Sequence, residues 1–232
     1  MKIIVSSQIP LKAKKKLAQF GEVLFLDKQA FLYDSIASHP DIYFCQIENQ
    51  LVVAPNIPNE WETWLLKNEV SYQKGISNLQ EKYPQTAHYN AVVTSEFLIH
   101  NLKVTDASIF EISKIRNEIH VNQAYTRCNL VPLNKDHFIT SDKGIEKRLK
   151  LHLKKVLYID PFQIRLAGQK NGFFGGCCGI FEDKLFLSGN LSSLRESKEL
   201  INFTSSLSIE IIELSNEPMM DIGSVLFLKS GC

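Results

Sequence analysis

Residues 128–160 read CNLVPLNKDHFITSDKGIEKRLKLHLKKVLYID. A short apolar run, a polar turn (NKD) and a second apolar run predict two strands joined as a hairpin. TSD follows and supplies the Thr, Ser or Asp expected at a helix start, with Asp142 as the cap. An amphipathic helical stretch then leads into VLYI, a buried strand. The unit is strand, strand, helix, strand.

The same order recurs on both sides. Residues 178–214 give a strand, the turn EDK, the strand LFLSG, a helix over SLRESKELINFTSS and the strand IEIIEL. Residues 90–121 give NAVVTSEFLIHN, then TDASIFEISKIRN, then EIHV. Residues 41–73 give DIYFCQIENQLVVAP, the helix NEWETWLLKN and the strand VSYQ. The ends of the chain divide a fifth copy. Residues 221–228 (DIGSVLFL) read as its first strand, while residues 2–27 supply the strand KIIVS, the helix PLKAKKKLAQFG and the strand EVLFLD. Joining the two ends removes exposed sheet edges. The expected fold is α/β, a five-bladed β/α propeller of ββαβ repeats closed by pairing of the N- and C-terminal segments. It is expected to be one domain over 1–232, the fifth repeat split between 1–28 and 221–232.

The bulk properties narrow the function classes. With 44% hydrophobic and 22% charged residues and a net charge of +1, the chain has an ordinary globular composition with no segregated basic half. Nucleic-acid binding is therefore not expected. No apolar run approaches the roughly 20 residues that span a bilayer, and MKIIVSSQIP reads as a strand and not as a signal peptide. The five cysteines (45, 128, 177, 178 and 232) lack C-x-x-C spacing and are expected to be reduced thiols of a cytoplasmic protein. His88, His100, His120, His137 and His152 show no metal spacing, and no cofactor motif is present. Oligomeric state leaves no trace in the sequence.

Several stretches carry a family resemblance: HPDIYFCQIENQLVVAP, YNAVVTSEFLIHN, VNQAYTRCNLVPL, FITSDKGI, GFFGGCCGIF and MDIGSVLFL. With the five-unit pattern, this set resembles the pentein superfamily of guanidine-modifying enzymes, and within it an uncharacterised bacterial branch. The superfamily includes arginine deiminases, amidinotransferases and dimethylarginine hydrolases, and also a non-catalytic ribosome anti-association factor. The resemblance implies a cysteine that attacks a guanidinium carbon, a histidine acting as acid and base, and carboxylates that hold the planar cation. The superfamily's His-x-Asp stretch lies in a later blade and its nucleophile near the C-terminus, whereas here His39-Pro40-Asp41 lies in an early unit.

Aligning the repeats on their first strands makes Asp41, Asn90, Cys128, Gly176-Cys177 and Asp221 equivalent. These positions should converge on one pocket, where two carboxylates, an amide and a thiol suit a small cationic ligand. Cys128 is the candidate nucleophile; an inert pocket thiol and a plain core cysteine are the alternatives. On a strand, Arg127 would point away from it. His39 is the candidate acid/base, or an exposed loop residue. Asp41 and Asp221 are candidate substrate carboxylates, or a turn cap and an Asx-turn residue. Asn90 and Gln123 are candidate substrate amides, or satisfy loop backbone. Gly176 should shape the wall through backbone alone, the adjacent cysteines being structural. Cys232 should be an exposed terminal thiol. The functional expectation is a hydrolase or amidinotransferase-like enzyme acting on a small guanidino or amide metabolite; the alternative is a non-catalytic pentein that binds a small ligand or a protein partner.

Overall fold

Residues 1–229 are described by a computed structural model, so the expected thiol of Cys232 lies outside the described residues. In chain order the elements are β1 (Lys2–Ser6), α1 (Leu11–Leu17) and β2 (Glu22–Leu26); α2 (Pro40–Tyr43), β3 (Phe44–Ile47), β4 (Gln50–Val53), α3 (Asn59–Lys67) and β5 (Ser71–Lys74); β6 (Val92–Val93), β7 (Phe97–His100), α4 (Ala107–Ser113) and β8 (Asn117–His120). There follow α5 (Thr126–Asn129), β9 (Leu130–Pro132), β10 (His137–Thr140), α6 (Lys143–Leu151) and β11 (Lys155–Tyr158); then β12 (Cys178–Phe181), β13 (Lys184–Leu187), α7 (Ser197–Ser205), β14 (Glu210–Glu213) and β15 (Leu226–Leu228). A 3-10 turn over Gly175–Cys177 precedes β12.

The strands form five separate three-stranded sheets. In four of them an antiparallel hairpin is followed by a helix and a third strand parallel to the second. The fifth joins the chain ends: β15 runs antiparallel to β1, pairing Lys2 with Leu228 and Ile4 with Leu226, and β2 runs parallel to β1. Two hairpins turn through two residues with the first in the left-handed region, Glu48 (φ 54°) and Glu182 (φ 53°). Asp142 caps α6 by accepting from Ile145 N at 2.8 Å, and Asp106 caps α4 through Ser108 N.

Burial grades across each sheet. The second strand is almost wholly buried, as in β7 and β13, while the third, as in β5 and β14, is largely open to solvent. The helices bury one stripe against the sheets. In α3 that stripe is Trp61 and Leu65, and the Trp61 ring meets Tyr43 edge-on at 4.9 Å. Burial of such a side chain stabilises the fold by about 2–3 kcal/mol. The innermost strands β3, β6, β9, β12 and β15 all contribute residues to one common cavity. Strand β3 lies beside β6, β6 beside β9, and β12 beside β15.

One expectation needs correcting. The segments entering β3, β9 and β12 are single helical turns and not extended chain. Successive residues there are rotated by about 100° rather than alternating between two faces. Arg127 therefore does not simply point away from Cys128; its guanidinium reaches across to the carbonyls of Gly175 (3.0 Å) and Cys178 (3.2 Å). Among the described residues, no helix is long and apolar enough to cross a membrane.

Candidate functional site

The site lies where those helical turns meet the segment before β15. Pro40 opens α2, where its missing N–H goes unmissed, and places His39 just before the helix and Asp41 inside it. Asp41 is fully buried. Its backbone N–H donates to Gly223 O at 3.1 Å. Its Oδ2 accepts from the Cys128 thiol at 3.1 Å and from the Ser224 hydroxyl at 2.7 Å. Asn90 locks the pair together: Nδ2 donates to Asp41 O (2.9 Å) and Cys128 Sγ (3.2 Å), and Oδ1 accepts from Cys128 N (3.2 Å).

Asp221 stands beside them, 4% exposed. Oδ1 accepts from Gly223 N at 3.0 Å, an Asx turn, and Oδ2 accepts from Phe173 N at 2.9 Å. The Asx turn expected of this residue is present, and the residue also lines the cavity described below. His39 Nδ1 lies 3.8 Å from Asp221 Oδ1, too far for a hydrogen bond. His39 Nδ1 and Asp41 Oδ1 are both buried without a hydrogen-bond partner. Burial pushes Asp221 up to about 6, with His39 opposing the rise and Asp41 adding to it. Burial also pushes the Cys128 thiol well above its ordinary value, reinforced by Asp41 and Asp221.

His39, Cys128 and Asp221 open into a cavity of about 320 Å³, walled by Tyr33, Tyr125 and Phe173. The two tyrosine hydroxyls are 2.7 Å apart, and Tyr125 also contacts Thr86 Oγ1 at 2.5 Å. Across the mouth, Gln169 Nε2 donates to Ser35 Oγ at 3.1 Å.

Of the residues expected from sequence, Asp41, Asn90, Cys128, His39 and Asp221 come together. Asp41 and Asn90 stand behind the thiol and not in the wall. Gly176 lies behind Asp221: a Cβ there would fall 1.9 Å from Asp221 Oδ1, so only glycine lets the carboxylate sit where it does. Gln123 is not at this site. It lines a separate open cleft with His120 and Arg148, and its Oε1 accepts from Tyr125 N at 3.0 Å, which is a local turn role. Ser224 and the two tyrosines were not anticipated. The only sequence signal for Ser224 is its place after the glycine of DIGS; the tyrosines sit in irregular segments that have no period to read. Cys177 and Cys178 are buried, with thiols near Phe173 O and Phe174 O (3.3 Å each). Among the described residues, no cluster of three His, Cys, Asp or Glu could hold a metal ion.

The sequence model of DUF6873, a family of unknown function, matches residues 4–226. The chain belongs to that family. No curated protein matches the DUF6873 chain by sequence. Solved structures do match its fold. Agmatine deiminase of C. jejuni superposes with a TM-score of 0.56 at 10% identity, covering 92% of this chain and 87% of that one. DDAH from Pseudomonas aeruginosa, a mutant complexed with citrulline, gives 0.53 at 9% identity, covering 92% and 91%. An amidinotransferase from Microseira wollei gives 0.50 at 13% identity, covering 92% and 88%. These are pentein-superfamily proteins, and the DUF6873 chain shares their α/β fold of five small sheets.

Two buried groups will oppose each other in the pH dependence of stability. Asp221 is raised from 3.8 to about 6, so its contribution is complete below pH 3.8 and is lost as pH rises through 6. His100, hydrogen-bonded to Thr105 Oγ1 and Ala124 O at 2.7 Å each, is pushed by burial down to about 4. Its contribution is complete above pH 6.5 and is lost as pH falls through 4. Each is worth about 3 kcal/mol. Wild-type stability should therefore change little from these two between pH 6.5 and 4. In His100→Gln the Asp221 effect is unmasked, and stability relative to wild type should rise on acidification; chemical denaturation at pH 7 and pH 5 checks this.

Proposed function

We propose that the pocket binds a small guanidinium or amidinium compound and that Cys128 attacks its central carbon. One observation carries this reading. Asp41 and Asp221 are buried side by side, and among the described residues neither is paired with a lysine or arginine. Buried carboxylates are ordinarily paired with a cation. A planar amidinium supplies that charge and can donate to Asp221, the carboxylate in the wall, with Asp41 adding its charge from behind the thiol.

In this reading the thiol proton passes to Asp41 Oδ2, 3.1 Å away, as Sγ bonds to the amidinium carbon. The carbon–nitrogen bond then breaks, with His39 protonating the leaving amine. Water attacks the resulting thiouronium, giving its proton to His39. The carbon–sulfur bond breaks as the carbonyl forms and its hydroxyl proton passes to solvent, where it is taken up by the released amine, and the thiolate recovers its proton from Asp41. A guanidinium gives a ureido product and an amidinium an amide; with a guanidinium, an amine in place of water makes the reaction an amidino transfer. The fold neighbours support this class of chemistry: a deiminase, a protein complexed with citrulline and an amidinotransferase. We also take the five sheets as blades of one closed ring and one domain, a reading supported by the cavity that all five inner strands share.

A second reading, a non-catalytic binder, is favoured by the same thiol. It is fully used as a donor to Asp41, and its ionisation is opposed by both carboxylates. Alkylation separates the two. Cys128 should react with chloroacetamidine, a cation, on the order of 10²-fold faster than with the neutral chloroacetamide, after correction for intrinsic reactivity. Peptide mass spectrometry gives the site, and alkylguanidines should protect it. Equal corrected rates would remove the cation site. An inert Cys128 in a protein whose melting temperature still rises with alkylguanidines would leave the binder.

A further inference from the structure

We propose that the cavity on the other side of α5 is a binding site for a small organic carboxylate, held by Arg127. Neighbouring residues of this one helical turn serve two cavities: Cys128 lines the site described above, and Arg127 lines the one enclosed by the inner strands. The second cavity measures about 190 Å³. Phe44, Val93, Val131, Ile180 and Leu226, one from each inner strand, supply the apolar part of its wall, and Gln46, Glu48 and Arg127 the polar part.

Arg127 is the cation of this cavity. Two of the five N–H donors of its guanidinium are spent on Gly175 O and Cys178 O. Carbonyls satisfy donors but do not neutralise a charge, and a partly buried guanidinium without a counter-ion is costly. Among the described residues, no carboxylate pairs with it. The other titratable group in the lining is Glu48, and Arg116 engages it at 2.8 Å. The charge left facing the cavity is therefore positive. The fork of a guanidinium matches a carboxylate, and the apolar part of the wall matches a short aliphatic body. An ammonium or guanidinium compound is excluded by charge, so the ligand class is opposite to that proposed for the Cys128 site.

Isovalerate is the probe, with isovaleramide as its neutral isostere, tested on the whole chain by calorimetry and thermal shift. Isovalerate should bind saturably and at least 10-fold more tightly than the amide. Arg127→Gln should weaken it at least 10-fold, and Asp221→Asn should leave it unchanged. Ile180→Glu, which tethers a carboxylate inside the cavity while keeping Arg127, should also abolish binding. If Arg127→Gln does not fold, Ile180→Glu decides. Amide binding equal to that of isovalerate, or wild-type isovalerate affinity in Ile180→Glu, overturns the proposal.

Discussion

Asp221→Asn will bring the rates of the cationic and neutral electrophiles at Cys128 together, a loss of discrimination on the order of 10²-fold. Asp221 is the carboxylate that lines the pocket, and nothing else in the wall carries a negative charge. Asparagine keeps one oxygen, so Gly223 N retains its acceptor, but the position facing Phe173 N becomes a donor. Losing that hydrogen bond costs about 1–3 kcal/mol. Removing a buried carboxylate raised to about 6 returns about 3 kcal/mol at pH 7. The two nearly cancel. The variant should therefore melt within a few degrees of wild type while its cation preference disappears. Retained preference in a folded Asp221→Asn would place the selectivity elsewhere.

Gly223→Ala should be among the most damaging single-methyl additions in the molecule. Gly223 is left-handed, at φ 69°, and its added Cβ would fall 2.1 Å from His39 Cβ and 2.5 Å from His39 Cα. The conformational penalty is about 1–2 kcal/mol. Moving the α2 entrance also strains the bond from Asp41 N to Gly223 O, which is worth about 1 kcal/mol. A total near 3 kcal/mol lowers the melting temperature by about 6–12 °C. Gly168 is the control. It has a similar φ of 75° with nothing within 4 Å of an added Cβ, so Gly168→Ala should show the conformational penalty alone. A Gly223→Ala melt no lower than that of Gly168→Ala would mean that His39 and Gly223 are not held in contact. Labelling of Cys128 by chloroacetamidine should also fall in Gly223→Ala, because His39 and Asp41 shift together.

The strands and helices of the five sheets were legible because their segments carry the same local grammar: apolar run, tight turn, apolar run, helix. Asp142 and the strand pairings follow from short-range patterns of that kind. The helical turns at Pro40–Tyr43 and Thr126–Asn129 were not legible, since four residues hold too few positions for a period. Pro40 was the one hint, as a residue suited to a helix start. Repeat register pointed to Asp41, Asn90, Cys128 and Asp221, and the structure brings them together through the turns that enter the first strands of their sheets. It said nothing of depth, so Asn90 and Asp41 were not distinguished from residues of the wall. Gln123 falls outside the register, and its partner is the nearby Tyr125 N. Tyr33 and Tyr125 meet only in three dimensions, 92 positions apart.

The pairing of β1 with β15 has a consequence during synthesis. Four sheets can form as soon as their own segments emerge, but β1 must wait for Leu226–Leu228 to complete its antiparallel side. At about 5–20 residues per second, that wait is roughly 10–45 s. Throughout it, an apolar strand edge carrying Ile3 and Ile4 is available to the wrong partner. Lys12, Lys14, Lys15 and Lys16 follow shortly after in the chain. They place positive charge beside the waiting strand, the arrangement by which gatekeeper residues oppose aggregation of a flanking apolar strand. The pairing of Lys2 with Leu228 is also the least local strand contact among the described residues, and so carries the largest loop-closure entropy cost.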